Sequence, residues 1–152
     1  MVNYLLDTCV LSEVWKKEPN PGVLAWLERQ AEPNLFLCSL SIGELIKGVE
    51  RLPAGARRDR IRTWVAETLP ARFEGRILAI DTDVAARWGL MSGEAEKRGE
   101  VLPVIDGLIA ASAAVHDLTV ATRNESDFIR CRVPVANPWR NEEDPPKDNQ
   151  AL

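Results

Sequence analysis

The chain has 152 residues, 45% of them hydrophobic and 28% charged, the balance of one ordinary globular domain. A formal net charge of −4 excludes a protein that draws nucleic acid through its overall field, so any such binding needs a local basic patch or a cation. One histidine and three cysteines without paired spacing exclude a multi-histidine zinc site and a disulfide framework.

No apolar stretch approaches a membrane span. The start lacks a basic region followed by an apolar signal core, so no signal peptide and a cytoplasmic location are expected. The run Val2–Leu6 is apolar on both faces and reads as a buried parallel strand closed by Asp7. Thr8 or Ser12 starts a short helix through Trp15. Pro19-Asn20-Pro21-Gly22 is a turn, and Pro21 opens a helix over Val23–Gln30. Leu35–Cys38 is a second strand. Ser41 and Glu44 match a capping box before Ile42, Leu45, Ile46 and Val49 at helical spacing. After the break at Pro53-Ala54-Gly55, Ile61, Trp64, Val65, Thr68 and Leu69 share one helix face. Arg57, Arg58, Arg60 and Arg62 surround it, read as a solvated basic face.

Ile77–Ile80 is a third strand, and Asp81 caps a long helix with the inner stripe Val84, Trp88, Met91 and Ala95, closed by Gly99. Pro103 opens a buried Ala- and Gly-rich helix containing Asp106, with His116 at its C-terminal end. Leu118–Thr122 is a fourth strand, and Val133-Pro134-Val135 an edge strand, where proline is tolerated. Cys9 and Cys38 read as small core residues. Residues 140–152, charged and containing Pro145-Pro146, read as a disordered tail after a single domain at 1–139. Strands alternating with helices predict an α/β domain with a mostly parallel sheet of about five strands and helices on both faces.

Acids fall at equivalent places in this pattern. Asp7 lies at the carboxyl end of the first strand, Glu44 one turn into the helix after the second, and Asn124 and Asp127 after the fourth. Asp106 lies in the first turn of its own helix. Ligands of open α/β sheets bind at this edge. Each residue alone also has a local explanation: a helix start for Asp7, the capping box for Glu44, the helix dipole for Asp106, turn and cap roles for Asn124 and Asp127. If they converge, the matching partner is a hard divalent cation and the matching substrate a phosphodiester.

The segment Leu5-Leu6-Asp7-Thr8-Cys9-Val10-Leu11-Ser12-Glu13 resembles the first motif of PIN domains. Ser41-Ile42-Gly43-Glu44-Leu45 resembles the second, and Ile105-Asp106-Gly107-Leu108-Ile109-Ala110-Ala111 the third. Val120-Ala121-Thr122-Arg123-Asn124 with Asp127-Phe128 resembles the fourth, and Asn137-Pro138-Trp139 a common ending. Four motifs in order over Val2–Trp139 are similar to VapC-type toxins of toxin–antitoxin pairs, in the FitB-like subgroup. The resemblance implies a PIN-like fold and a Mg²⁺- or Mn²⁺-dependent endoribonuclease that leaves a 5′-phosphate and a 3′-hydroxyl. It carries over Asp7, Glu44, Asp106 and Asp127 as catalytic acids. Asp7 and Asp106 would hold the metal, with Thr8, Thr122 and Asn124 in support and Arg123 as an RNA contact. Many relatives have an acid where this chain has Asn124, and Asp127 would supply the missing charge. The resemblance further implies a homodimer, and an antitoxin whose tail packs in a groove to which Trp15 and Trp26 contribute. Two other readings stand beside it. One is a non-catalytic PIN-like module that binds RNA or protein. The other is a phosphoryl-transfer domain with Asp7 as nucleophile, against which Cys9 stands where a second Asp is expected.

Overall fold

The computed structural model describes residues 1–140, so the tail expected at 140–152 lies outside the described residues except for Arg140. Five strands form one parallel sheet in the order β3-β2-β1-β4-β5: β1 (Tyr4–Leu6), β2 (Leu35–Cys38), β3 (Ile77–Leu78), β4 (Thr119–Ala121) and β5 (Val135–Ala136). Tyr4 pairs with Leu35 on one side and with Thr119 on the other, which puts β1 at the centre. β5 is an edge, as Pro134 requires, and the carbonyl of that proline accepts from Val120 N–H at 2.9 Å.

Alternation along the strands divides the core. Leu6, Leu37 and Ala121 face one apolar cluster, built with α1 (Thr8–Glu13), α2 (Pro21–Arg29), α3 (Ser39–Glu50) and α4 (Ala56–Thr63). Leu5, Cys38 and Val120 face the other, built with α6 (Thr82–Lys97), α7 (Val104–Val115) and α8 (Glu125–Arg130). Both faces are therefore covered, and the central strands read as unbroken apolar runs. The short α8 was not expected from the sequence. No helix among the described residues is long and apolar enough to cross a membrane.

Local chemistry sets the helix ends. Asn20 caps α2 by accepting from Gly22 and Val23 N–H, with Pro21 in the first turn. Asp81 caps α6 through Val84 N–H, and Gly99 (φ 77°) ends it while Glu100 N–H reaches back to the Ala95 carbonyl. The single long helix expected around Ile61–Leu69 carries an irregularity. A π-turn over Trp64–Thr68 separates α4 from α5 (Leu69–Arg72), and Leu69 N–H bonds five residues back to Trp64. Pro70 accounts for it, because a proline inside a regular helix lacks an N–H and collides with the carbonyl four residues earlier. The wider turn rotates Thr68 off the expected face and leaves it exposed, while Val65 and Leu69 stay buried. On α7, Gly107 lets the helix approach the Trp88 indole; a Cβ there would lie 3.2 Å from the ring.

Arg76 ties α5 to the start of β2. Its guanidinium donates to the backbone carbonyls of Glu32 (2.5 Å), Leu35 (2.6 Å) and Arg72 (2.7 Å), and it lies 4.7 Å from the Phe73 ring centroid. Arg76→Ala leaves three carbonyls short of a donor. It is expected to cost about 2–3 kcal/mol in urea unfolding, with Arg76→Lys recovering only part because an ammonium has no planar fork. An unchanged unfolding midpoint in the alanine variant would show that water replaces the guanidinium at no cost.

Candidate active site

The carboxyl edge of β1 and β4 carries the site. Asp7 N–H continues the ladder to the Ala121 carbonyl at 3.0 Å, which fixes the Asp7 backbone as the chain turns into α1. Its side chain is 6% exposed. One oxygen accepts from Thr8 N–H at 2.8 Å. The other accepts from the Thr122 hydroxyl at 2.8 Å, with the Cys9 thiol 3.7 Å away. Thr122 in turn accepts from Asn124 N–H at 3.0 Å, so two strand ends lock Asp7 between them. Burial pushes the Asp7 carboxyl above its ordinary value. The Glu44 charge adds to this, and the hydrogen bonds from Thr122, Thr8 and Cys9 oppose it.

Glu44 enters from α3 and accepts from the Thr8 hydroxyl at 2.6 Å. This corrects the capping-box expectation. α3 begins at Ser39, two residues ahead of Ser41, with no side-chain cap, and the buried Ser41 hydroxyl has no hydrogen-bond partner among the described residues. Glu44 therefore turns toward the site rather than to its own helix start.

Asp106 stands in the first turn of α7 and Asp127 in that of α8. The Asn124 amide spans them, with its Nδ2 at 2.8 Å from Asp127 Oδ2 and 3.2 Å from Asp106 Oδ2. Asn124 thus donates to two acids and caps no backbone N–H of α8 with its side chain. The Asp106 carboxyl is pushed up to about 7, first by burial and then by the charges of Asp7, Asp127 and Glu44. Asp106 thus feels acids from three other stretches of chain, and Asp7 feels Glu44. Among the described residues, the ion pair of Asp127 is with Arg130, 3.7 Å away and half exposed.

The donor set is carboxylate and hydroxyl oxygen, which suits a hard divalent ion. Among the described residues no three His, Cys, Asp or Glu side chains are close enough to enclose an ion by themselves. An ion here would be held by one or two carboxylates with water filling its shell, the coordination Mg²⁺ favours.

Arg123 is exposed and stacks over Trp139, 5.0 Å from the ring centroid. Of the two tryptophans expected at a groove, Trp15 lines one. That groove, about 290 Å³, runs between α1, α3 and α4, with Thr8, Glu44, Leu45 and Trp64 along it. Trp26 instead packs edge-on against Tyr4 at 4.9 Å. Arg57 is not a free surface cation either, since it donates to the Trp15 carbonyl at 2.7 Å.

Two residues near the site escaped the sequence reading. Cys9 was expected in the core; it is half-buried and touches Asp7, and burial with the Asp7 charge raises its thiol pKa. Glu13 is buried at 3% exposure and accepts from Asn20 N–H at 2.9 Å, with Lys16 at 2.8 Å. Burial alone would raise its pKa. Lys16, the Asn20 N–H and the Arg123 charge outweigh burial and hold it below the ordinary value. A glutamate directly after an amphipathic turn gave no signal for this. Arg140 also belongs to the folded part, paired with Glu125 at 2.6 Å.

A parallel α/β sheet with acids gathered at its carboxyl edge defines the class of domain. Residues 4–133 match the PIN domain, and the chain belongs to the PIN-domain family. It is 39% identical over 136 residues to the VapC ribonuclease Y4jK of Sinorhizobium fredii, covering 89% of this chain and 96% of that protein. It is 36% identical over 137 residues to the toxin FitB of Neisseria gonorrhoeae, covering 90% and 99%. Among solved structures, FitAcB from Neisseria gonorrhoeae superposes with a TM-score of 0.86 at 36% identity, over 91% of this chain and 99% of that one. A FitAB complex bound to a DNA fragment matches with the same TM-score at 35% identity, over 91% and 97%.

Proposed function

We propose that this protein is the toxin of a type II toxin–antitoxin pair and acts as a Mg²⁺- or Mn²⁺-dependent endoribonuclease. The observation that carries the reading is the gathering of four acids at one sheet edge, where Thr8 bonds both Asp7 and Glu44 and the Asn124 amide bonds both Asp106 and Asp127; burial first, and then the charges of Asp7, Asp127 and Glu44, push Asp106 up to about 7. Burying like charges beside one another costs stability, and acids perturbed in this way at a ligand-binding edge mark a functional site. The similarity to a VapC ribonuclease and to the FitB toxin supports the same class of activity.

Asp7 and Asp106 are the metal-holding pair. A bound divalent ion supplies Lewis acidity at a phosphodiester oxygen and lowers the pKa of water at neutral pH. Thr8 N–H and the Thr122 hydroxyl fix the two Asp7 oxygens, so that carboxylate presents one orientation. Glu44, held by Thr8, and Asp127, held by Asn124, orient the attacking water or retain a second ion. Arg123 pairs with a phosphate of the strand. The groove beside Glu44 takes a segment of the antitoxin, and the toxin works as a homodimer; the match to the FitAB and FitAcB assemblies supports a protein partner.

The direct test is incubation with mixed RNAs and Mg²⁺ or Mn²⁺, beside the Asp7→Asn variant. Cleavage that the variant lacks supports the reading. No cleavage by either protein points to a binding module, and a phosphorylated Asp7 points to phosphoryl transfer.

Metal linkage gives a second test without RNA. An ion at ten times its dissociation constant adds about 1.4 kcal/mol to stability, a rise of about 3–6 °C in melting temperature for a domain of this size. The rise is expected to be larger at pH 8 than at pH 5.5, because below about 7 a proton on Asp106 competes with the ion. A melting curve at pH 8 that ignores 10 mM Mg²⁺ and Mn²⁺ would remove the metal from the proposal.

A further inference from the structure

A second charged feature lies beside the acids and has the opposite sign. A crevice of about 320 Å³ separates one side of α6 from the segment that leaves α8. Its apolar surface comes from Met91, Ala114 and Val133, and its rim carries Arg87, Arg98, Arg130 and Arg132 against one acid, Glu94. We propose that this crevice is a subsite for the RNA backbone, taking a phosphate one or two nucleotides from the one at the acids. The proposal rests on the ribonuclease reading and extends it to how an acidic protein holds its substrate.

Unbalanced charge is the first argument. Arg98 meets Glu100 at 3.3 Å and Arg130 lies 3.7 Å from Asp127, but Arg87 and Arg132 make no ion pair among the described residues. Arg87 and Arg132 are thus uncompensated except by Glu94, the one acid lining the crevice, which leaves a positive concavity suited to an anion. The chain as a whole is acidic, so a polyanion must be gathered by such a local patch.

The second argument is conformational. Arg132 has φ 59°, in the left-handed region, where its N–H closes α8 onto the Ile129 carbonyl. Glycine or asparagine takes that position with less strain. An arginine there burdens the backbone and places a guanidinium on the crevice rim.

Continuity with the acids is the third. Asp127 lies in the first turn of α8, and Arg130 and Arg132 lie at and just past its end, about 5–8 Å further along the axis. That span corresponds to one or two nucleotides of a strand. Cys131, at the crevice wall, registers the proximity. Burial raises its thiol to about 11, and the charges of Asp106 and Asp127 contribute to the rise.

The test uses the full chain in EDTA, where no metal-dependent cleavage runs. Binding of a fluorescein-labelled mixed-sequence RNA oligonucleotide is followed by anisotropy across a salt series. The double variant Arg87→Gln/Arg132→Asn is expected to bind roughly tenfold more weakly, and the slope of log K against log salt to shrink by about 0.7, the value for one phosphate contact on a single strand. Asparagine at 132 keeps the left-handed backbone available, and circular dichroism melting verifies the fold. The control Arg29→Gln removes one charge from α2, across the sheet, and is expected to change neither quantity more than twofold. An equal loss in the control, an unchanged affinity and slope in the double variant, or no binding by the wild type overturns the subsite. Full competition by millimolar inorganic phosphate, with affinity independent of oligonucleotide length, overturns it in favour of a free-anion site. The two readings fail separately. Wild-type protein that cuts RNA while binding ignores these arginines ends the subsite alone. Arginine-dependent binding without cleavage under Mg²⁺ or Mn²⁺ ends the ribonuclease reading alone.

Discussion

Asp7→Asn is expected to lower metal-dependent RNA cleavage by a factor on the order of 10³ or more, about 4 kcal/mol of transition-state stabilisation, while the protein stays folded. The substitution removes one negative charge and turns the oxygen that accepts from Thr122 and Cys9 into a donor. An amide oxygen still accepts from Thr8 N–H, as the Asp7 carboxylate does at 2.8 Å. The amide nitrogen would face the Thr122 hydroxyl, which now donates at 2.8 Å and can instead accept, since a hydroxyl has two lone pairs. The same substitution relieves a buried acid whose carboxyl is already raised by burial and by Glu44. Stability should therefore hold or rise as activity falls, which separates a lost ligand from a damaged fold. The measurement is single-turnover cleavage of a labelled RNA with Mn²⁺, beside thermal melts of both proteins. Cleavage within tenfold of wild type would remove Asp7 from the chemistry. A collapse of both activity and melting temperature would assign it a structural role.

The strands and the strand-end acids were readable because each is a local pattern. Leu35–Cys38 is a short apolar run bounded by turns, and it forms β2 with those limits. Val2–Leu6 closes on Asp7, and the parallel sheet makes that the carboxyl edge. What escaped is decided by tertiary contact. Glu44 lies three residues after Ser41, which satisfies the spacing of a capping box, but the spacing holds no information on where the chain leaves β2; α3 starts at Ser39 and frees Glu44 for Thr8. Cys9 reads as a core residue because an apolar neighbourhood predicts burial and not which buried group lies alongside. Its place at 3.7 Å from Asp7 depends on how α1 leaves the sheet. Thr122 and Asp7 meet over a separation of 115 residues, through the pairing of β1 with β4. The π-turn ahead of Pro70 was within reach, since an interior proline forces some adjustment, but its form is set by Val65 and Leu69 staying in the core.

Asn124 shows how far one side chain can alter a site of like charges. Where an acid would add a further negative charge, its amide donates to Asp106 and Asp127 together. A neutral donor between two carboxylates offsets part of their repulsion without a cation. The crowding that remains falls mainly on Asp106, the acid with the charges of Asp7, Asp127 and Glu44 all acting on it.

Asp106→Asn is accordingly expected to move stability and activity in opposite directions, with cleavage lower on the order of 10³-fold and the metal-free protein more stable at neutral pH. The sign follows from linkage. Asp106 titrates near 7 in the folded protein and near the ordinary carboxyl value, about 3.9, when unfolded. Between those values the folded state holds the extra proton, so stability is greatest below the unfolded value and falls as pH rises toward about 7. The variant has no such proton to lose, and its melting temperature should decline less than the wild type's between pH 4 and pH 7.5. The two curves therefore draw apart as pH rises, and Mg²⁺ or Mn²⁺ closes the gap by stabilising the wild type alone. Parallel melting curves across this range would show that Asp106 does not carry the electrostatic load of the site. A variant that gains stability and still cuts RNA would leave the crowding of acids without a catalytic purpose.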